Sequence, residues 1–152
     1  MKRILQKYFR KHLIKKVFYS LVIIFFIIVS FLFLPIPDSI KRTVFPFLAA
    51  LSIIFFLLGV VLVVLTLKRR VKGKLKKFLI LTGFSAAGFF IGVILHNFLY
   101  ALAVITLQIT LLHYLFEVLH VIFFIFATIV CPLTFLVGVI GSTVLFTKQA
   151  KK

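Results

Sequence analysis

Residues 96–120, HNFLYALAVITLQITLLHYLFEVLH, hold three of the chain's four histidines and one of its two acidic residues inside otherwise apolar sequence. Ionisable side chains are costly in such surroundings, so they usually face a bundle interior, pair with one another or line a cavity. On an ideal helix of about 3.6 residues per turn, His113, Glu117 and His120 fall within about 60° of each other. The pattern is HxxxExxH, not the HExxH of common zinc hydrolases, so it is not a hydrolase signature.

Whether His96 joins them depends on where the chain turns back. Thr106, Gln108 and Thr110 mark the most plausible turn. With Gln108 as midpoint, His96 and His120 reach the same depth, about 18 Å along their helices. Asn97 then approaches Glu117 if the faces agree. A second arrangement makes residues 98–112 a re-entrant or interfacial piece, which also gathers the histidines.

Three chemistries fit such a cluster. His96, His113, Glu117 and His120 could supply four ligands to zinc or iron. Two histidines on separate helices could hold a haem axially, although no companion motif supports this. Glu117 and a histidine could instead exchange protons along a polar track with Asn97, Tyr100 and Tyr114. The plainer alternative is a hydrogen-bonded network that only fixes helix packing, or histidines at headgroup level. An enzymatic version would use a metal with an open position to activate water against a lipid-borne bond, Glu117 moving the proton. It lacks a second acid or a serine in support.

The elements that must position these residues follow from composition. The chain has 152 residues, 64% of them hydrophobic and 14% charged, with 21 Phe and no Trp. Its mean hydropathy is +1.30. A soluble globule of this size could not hide so much apolar surface, whereas lipid solvates it. This is an integral membrane protein.

Nineteen Lys and Arg stand against two Asp and Glu, a formal charge of +17. The bases sit in short segments beside apolar runs, as the positive-inside rule and anionic headgroups require. No stacking or base-reading module accompanies them, so the charge does not point to nucleic acid. Cys131 is the single cysteine, which excludes an intramolecular disulfide and reads as a small buried residue more than as a functional thiol.

In chain order, residues 2–16 gather Ile4, Leu5, Tyr8, Phe9 and Leu13 on one helical face and the bases on the others, the pattern of an interfacial helix or of a solvated entry to the first span. His12 reads as a surface residue among those bases. The spans are expected at about 17–34, 43–67, 78–105 and 111–147. Pro35 and Pro37 end the first, Asp38 is a candidate cap, and Pro46 is tolerable near the start of the second. Residues 68–77, KRRVKGKLKK, form a cytoplasmic connection with Gly73 available for the turn. Placing this block, the N-terminus and the tail KQAKK together puts seventeen of the nineteen bases on one side, which requires an even number of spans after residue 77. Two fit.

Gly88 and Gly92 make a small-xxx-small pair, and Thr134, Gly138 and Ser142 repeat at four-residue spacing, both candidate packing stripes within the monomer or between copies. Cys131-Pro132 predicts a kink. The whole reads as a single all-α membrane domain over 1–152, a four-helix bundle with a short N-terminal amphipathic helix. It belongs in the cytoplasmic membrane with both termini inside. Its expected role is a small transport or membrane-complex component, self-associating or not. A His/Glu metalloenzyme acting on lipid and a packing subunit without its own chemistry are the alternatives.

Overall fold

A computed structural model describes residues 2–33 and 37–150, and the side chains among them other than those at 2–11, 32–33, 38–39, 41 and 150. Helix α1 is Lys2–Phe33, α2 is Asp38–Lys68 and α3 is Gly73–Ile105. Helix α4, Thr110–Ile125, passes through a π-helical turn, Phe126–Val130, into α5, Cys131–Ala150. Four stretches are long and apolar enough to cross a membrane: His12–Phe31, Arg42–Lys68, Gly73–Ile105 and Thr110–Gln149.

Residues 2–16 continue into the first span as one unbroken helix. The amphipathic face expected of them falls mostly on side chains outside the described residues, as does the Asp38 carboxylate. Pro37 is the N-cap of α2, and the Ile40 amide donates to its carbonyl at 3.0 Å. Asp38 is therefore the first helical residue and not the cap. Because α2 begins ahead of the apolar run, Pro46 lies inside the helix instead of in its first turn. Hydropathy marks the part that lipid solvates, whereas residues 38–42 coil for the sake of their backbone hydrogen bonds.

The connection between α2 and α3 is a Schellman close. The Arg70 amide donates to Leu67 O at 3.1 Å and the Val71 amide to Thr66 O at 3.3 Å. Arg70 takes the left-handed conformation there, with φ +47°, and Gly73 takes a second one, φ +70°, as α3 starts. A Cβ in that region clashes with the following carbonyl. Arg70→Gly is therefore expected to stabilise the protein by roughly 0.5–1 kcal/mol, net of glycine's extra unfolded-state freedom. Thermal unfolding in detergent would read it.

Helix α3 is the centre, touching α2, α4, α5 and the π turn, while α1 leans on α2. The core lies between α1, α2, α3 and α5 and includes Phe18, Leu21, Leu62, Leu79 and Phe135, each almost wholly enclosed. Aromatic rings bridge α1 to α5, with Phe25 stacked on Phe135 at 4.4 Å and Phe18 edge-on to Phe146 at 5.5 Å.

Closer approaches use residues without bulk. A Cβ added to Gly59 would stand 2.8 Å from Gly83 O, and one added to Gly83 would stand 2.7 Å from Gly59 O, so α2 and α3 touch backbone to backbone. A Cβ on Gly138 would meet the Thr82 amide nitrogen at 2.9 Å, which brings α5 equally near α3. In lipid no hydrophobic force drives helices together, so such contact supplies the attraction instead. Two of the buried hydroxyls return to their own helices: Thr66 donates to Leu62 O at 2.7 Å and Thr82 to Phe78 O at 2.9 Å.

Candidate functional site

The turn joining α3 to α4 lies at residues 106–109, so residues 98–105 remain helical. Thr106 closes α3 twice, its amide reaching Leu102 O at 3.0 Å and its hydroxyl the same oxygen at 2.8 Å. A hydroxyl bonded to the preceding turn offers the backbone an alternative to continuing the helix. The Ile109 amide then bonds Thr106 O at 2.8 Å and the His113 amide bonds Ile109 O at 3.0 Å, which starts the return.

The antiparallel hairpin gathers the polar residues into two groups. His96 and His120 form the first, with ring centroids 5.3 Å apart. His96 Nδ1 lies 2.9 Å from the His120 carbonyl oxygen. That oxygen can only accept, so Nδ1 carries the hydrogen and the neutral ring keeps its lone pair on Nε2. Tyr100 stands edge-on to the His120 ring at 5.5 Å, and Phe124, one turn along α4, lies 5.2 Å from the His96 ring. His120 Nδ1 is buried with no partner.

His113 and Glu117 form the second group, one helical turn apart. His113 Nδ1 donates to Ala103 O at 2.9 Å across the hairpin. Its Nε2 faces Glu117 Oε2 at 3.2 Å. With Nδ1 committed as donor, a neutral imidazole would turn a lone pair toward a carboxylate's lone pair. The contact is favourable when a hydrogen lies between the two atoms. The Glu117 side chain is 51% exposed and that of His113 24%, so one partner is open to its surroundings and the other is held.

The structure thus pairs His96 with His120 and His113 with Glu117 without drawing all four to one point. Among the described residues, no three of His, Cys, Asp and Glu are grouped to hold a metal ion. Asn97 turns back on its own helix, donating to Val93 O at 2.8 Å. Tyr114 is exposed, its ring 5.8 Å from that of His113. Two carbonyls, of Ala103 and His120, orient the histidines, and no residue-type pattern could have flagged them. Phe124 was visible as the position four residues after His120.

The small residues pack along α3 away from the hairpin turn. Gly92 packs against Ala127 and Phe126, Gly88 against Cys131 and Phe126. Thr134 Oγ1 lies 2.8 Å from Ser85 Oγ, a hydrogen bond between α5 and α3. Ser142 is fully buried on the same stripe, its hydroxyl without a partner. Ser85→Ala is expected to cost about 0.6 kcal/mol, the usual worth of an interhelical hydrogen bond in a membrane. Unfolding in mixed micelles, with Ser52→Ala as the comparison, would measure it, since Ser52 bonds only its own helix.

Just before Pro132 the backbone widens, and the Cys131 amide reaches Phe126 O, five residues back. A π turn beside a proline absorbs the amide that proline lacks. Beneath it, a mainly apolar cavity of about 350 Å³ lies between α1, α3 and α5, walled by Phe25, Phe89, Phe135, Ser85, Thr128 and Cys131 among others.

At the far end of α3 the basic segments converge. Ile14, Val71, Lys72, Phe146 and Gln149 line one pocket, and Lys15 Nζ sits 5.2 Å over the Phe146 ring. The fold and these features define a small all-α polytopic membrane protein with four helices of membrane-spanning length. No family model, no curated protein and no solved structure matches the chain.

Proposed function

We propose that this protein is a small component of membrane transport, or of a membrane complex, in which the His113–Glu117 pair takes up and gives up a proton. The observation that carries the reading is His113 itself, whose Nδ1 is held at Ala103 O while its Nε2 lies 3.2 Å from Glu117 Oε2, within reach of a shared hydrogen. Histidine and glutamate in contact, one held and one exposed, make an exchange site.

The basic end faces the anionic cytoplasmic leaflet, with both termini inside, and the hairpin turn faces the opposite side. Support comes from the convergence of residues 14–16, 68–77 and 146–149 at one end, and from the bias of Lys and Arg toward the cytoplasm. Cysteines engineered near Asp38 and at the C-terminus, after Cys131→Ser, are expected to label from opposite sides. Labelling from the same side refutes the orientation.

Reconstituted into liposomes under an imposed pH gradient, the protein is expected to carry protons. Absence of proton movement under gradients of either sign sinks the proposal. A second reading, that the hairpin serves packing alone, draws on the His96 bond to the His120 carbonyl, which ties α3 to α4 without any exchangeable charge. That reading gains if Glu117→Gln alters unfolding and leaves flux unchanged.

A further inference from the structure

We infer that the face of α3 at the basic end binds one acidic phospholipid, its phosphate between Lys76 and Lys77 and an acyl chain along Ile80, Leu81 and Phe84. These residues, with Gly73, line an open groove of about 570 Å³. They recur every three or four positions, so the groove follows one helical face from the polar end toward the membrane interior. The order along it is cation, then aliphatic, then aromatic. That is the order of polarity in a phospholipid read from headgroup to chain.

Charge complementarity identifies the ligand. The chain's two acidic side chains, Asp38 and Glu117, belong to the other end, so no carboxylate side chain of the protein neutralises Lys76 and Lys77. Compensation comes from outside, and the lysines stand where a negatively charged leaflet supplies it. The entrance beside Gly73 is open space, in which an added Cβ would meet nothing within 4 Å. Phe84 is 62% exposed at the inner end, an apolar surface that a free phosphate would not use and a chain would cover. A zwitterionic lipid offers the same chain with no net charge for the lysines. The inference rests on the basic end facing an anionic leaflet, as proposed above.

The test is native mass spectrometry of the full-length, delipidated protein given phosphatidylglycerol or phosphatidylcholine of matched chains. One phosphatidylglycerol per chain is expected to survive activation that strips phosphatidylcholine. Lys76→Gln combined with Lys77→Gln is expected to lower its retention about tenfold or more, and Phe84→Ser by a smaller factor. Lys148→Gln, at the same end but outside the groove, is expected to leave retention unchanged. Equal retention of the two lipids overturns the inference. So does displacement by excess inorganic phosphate, or an equal loss in Lys148→Gln. The cysteine labelling described above decides the orientation independently, so loss of this site and loss of that reading give different results.

Discussion

Gly83→Val is expected to destabilise the bundle by about 3 kcal/mol or more, at the top of the range for overpacking. The added Cβ would stand 2.6 Å from Val63 Cγ2 and 2.7 Å from Gly59 O. Val63 can turn away, but a backbone carbonyl moves only with its helix. Relief therefore requires α2 to withdraw from α3, which forfeits the dispersion contact along that seam. Gly73→Ala is the informative comparison. It meets no atoms, yet the φ of +70° places its Cβ in the strained left-handed region, so its expected cost is about 1 kcal/mol. Reversible unfolding in mixed micelles separates the two effects. Equal stabilities would show that the α2–α3 contact is not the close one described.

The second large effect concerns proton movement. Glu117→Gln replaces a group that can take up and release the shared hydrogen with an amide that can donate to or accept from His113 Nε2 but does not exchange a proton. Proton flux in liposomes is expected to fall about a hundredfold or more, the scale on which positioned acids and bases act, while folding is little changed because the side chain is half exposed. His96→Phe provides the contrast. It removes the bond to the His120 carbonyl and is expected to cost about 1 kcal/mol of stability, with the flux retained. Should both variants lose flux in proportion to stability, the hairpin's polar residues serve packing and the proton reading falls.

Much of the fold is legible in residue order because lipid imposes a simple rule on it. Backbone groups must be satisfied within helices, so apolar runs bounded by KRRVKGKLKK and by PIPDS mark spans. Helix ends are less legible. Asp38 and its neighbours are polar and still helical, since the Ile40 amide finds the Pro37 carbonyl, and a hydropathy boundary records only where lipid begins. The left-handed residue closing α2 is Arg70, although Gly73 is the residue whose type invites that conformation. What decides there is the spacing of Thr66 and Leu67 carbonyls from the following amides.

The candidate site divides in the same manner. Helical angles bring His113 and Glu117 together, because both lie on one element and the periodicity is local. How His96 meets α4 depends on the turn at Thr106 and on the rotation of one helix against another, which small residues such as Gly88 and Gly92 set by contact. The partners of His96 and His113 are main-chain oxygens, which every residue carries alike and composition cannot distinguish. The π turn left its trace only as proline after Cys131.

The lengths of the helices bear on the bilayer itself. Helix α1 runs for 32 residues and α3 for 33, and the stretch Thr110–Gln149 spans 40. At about 1.5 Å per residue these are roughly 50, 50 and 60 Å of helix, against a hydrocarbon core of about 30 Å. Each of these, and α2 with them, is longer than the hydrocarbon core alone requires. The surplus is taken up by ends that extend past the hydrocarbon, by tilt or by locally thickened lipid, the last two at fractions of a kcal/mol per Å. The energy of the protein therefore depends on the thickness of the membrane it occupies.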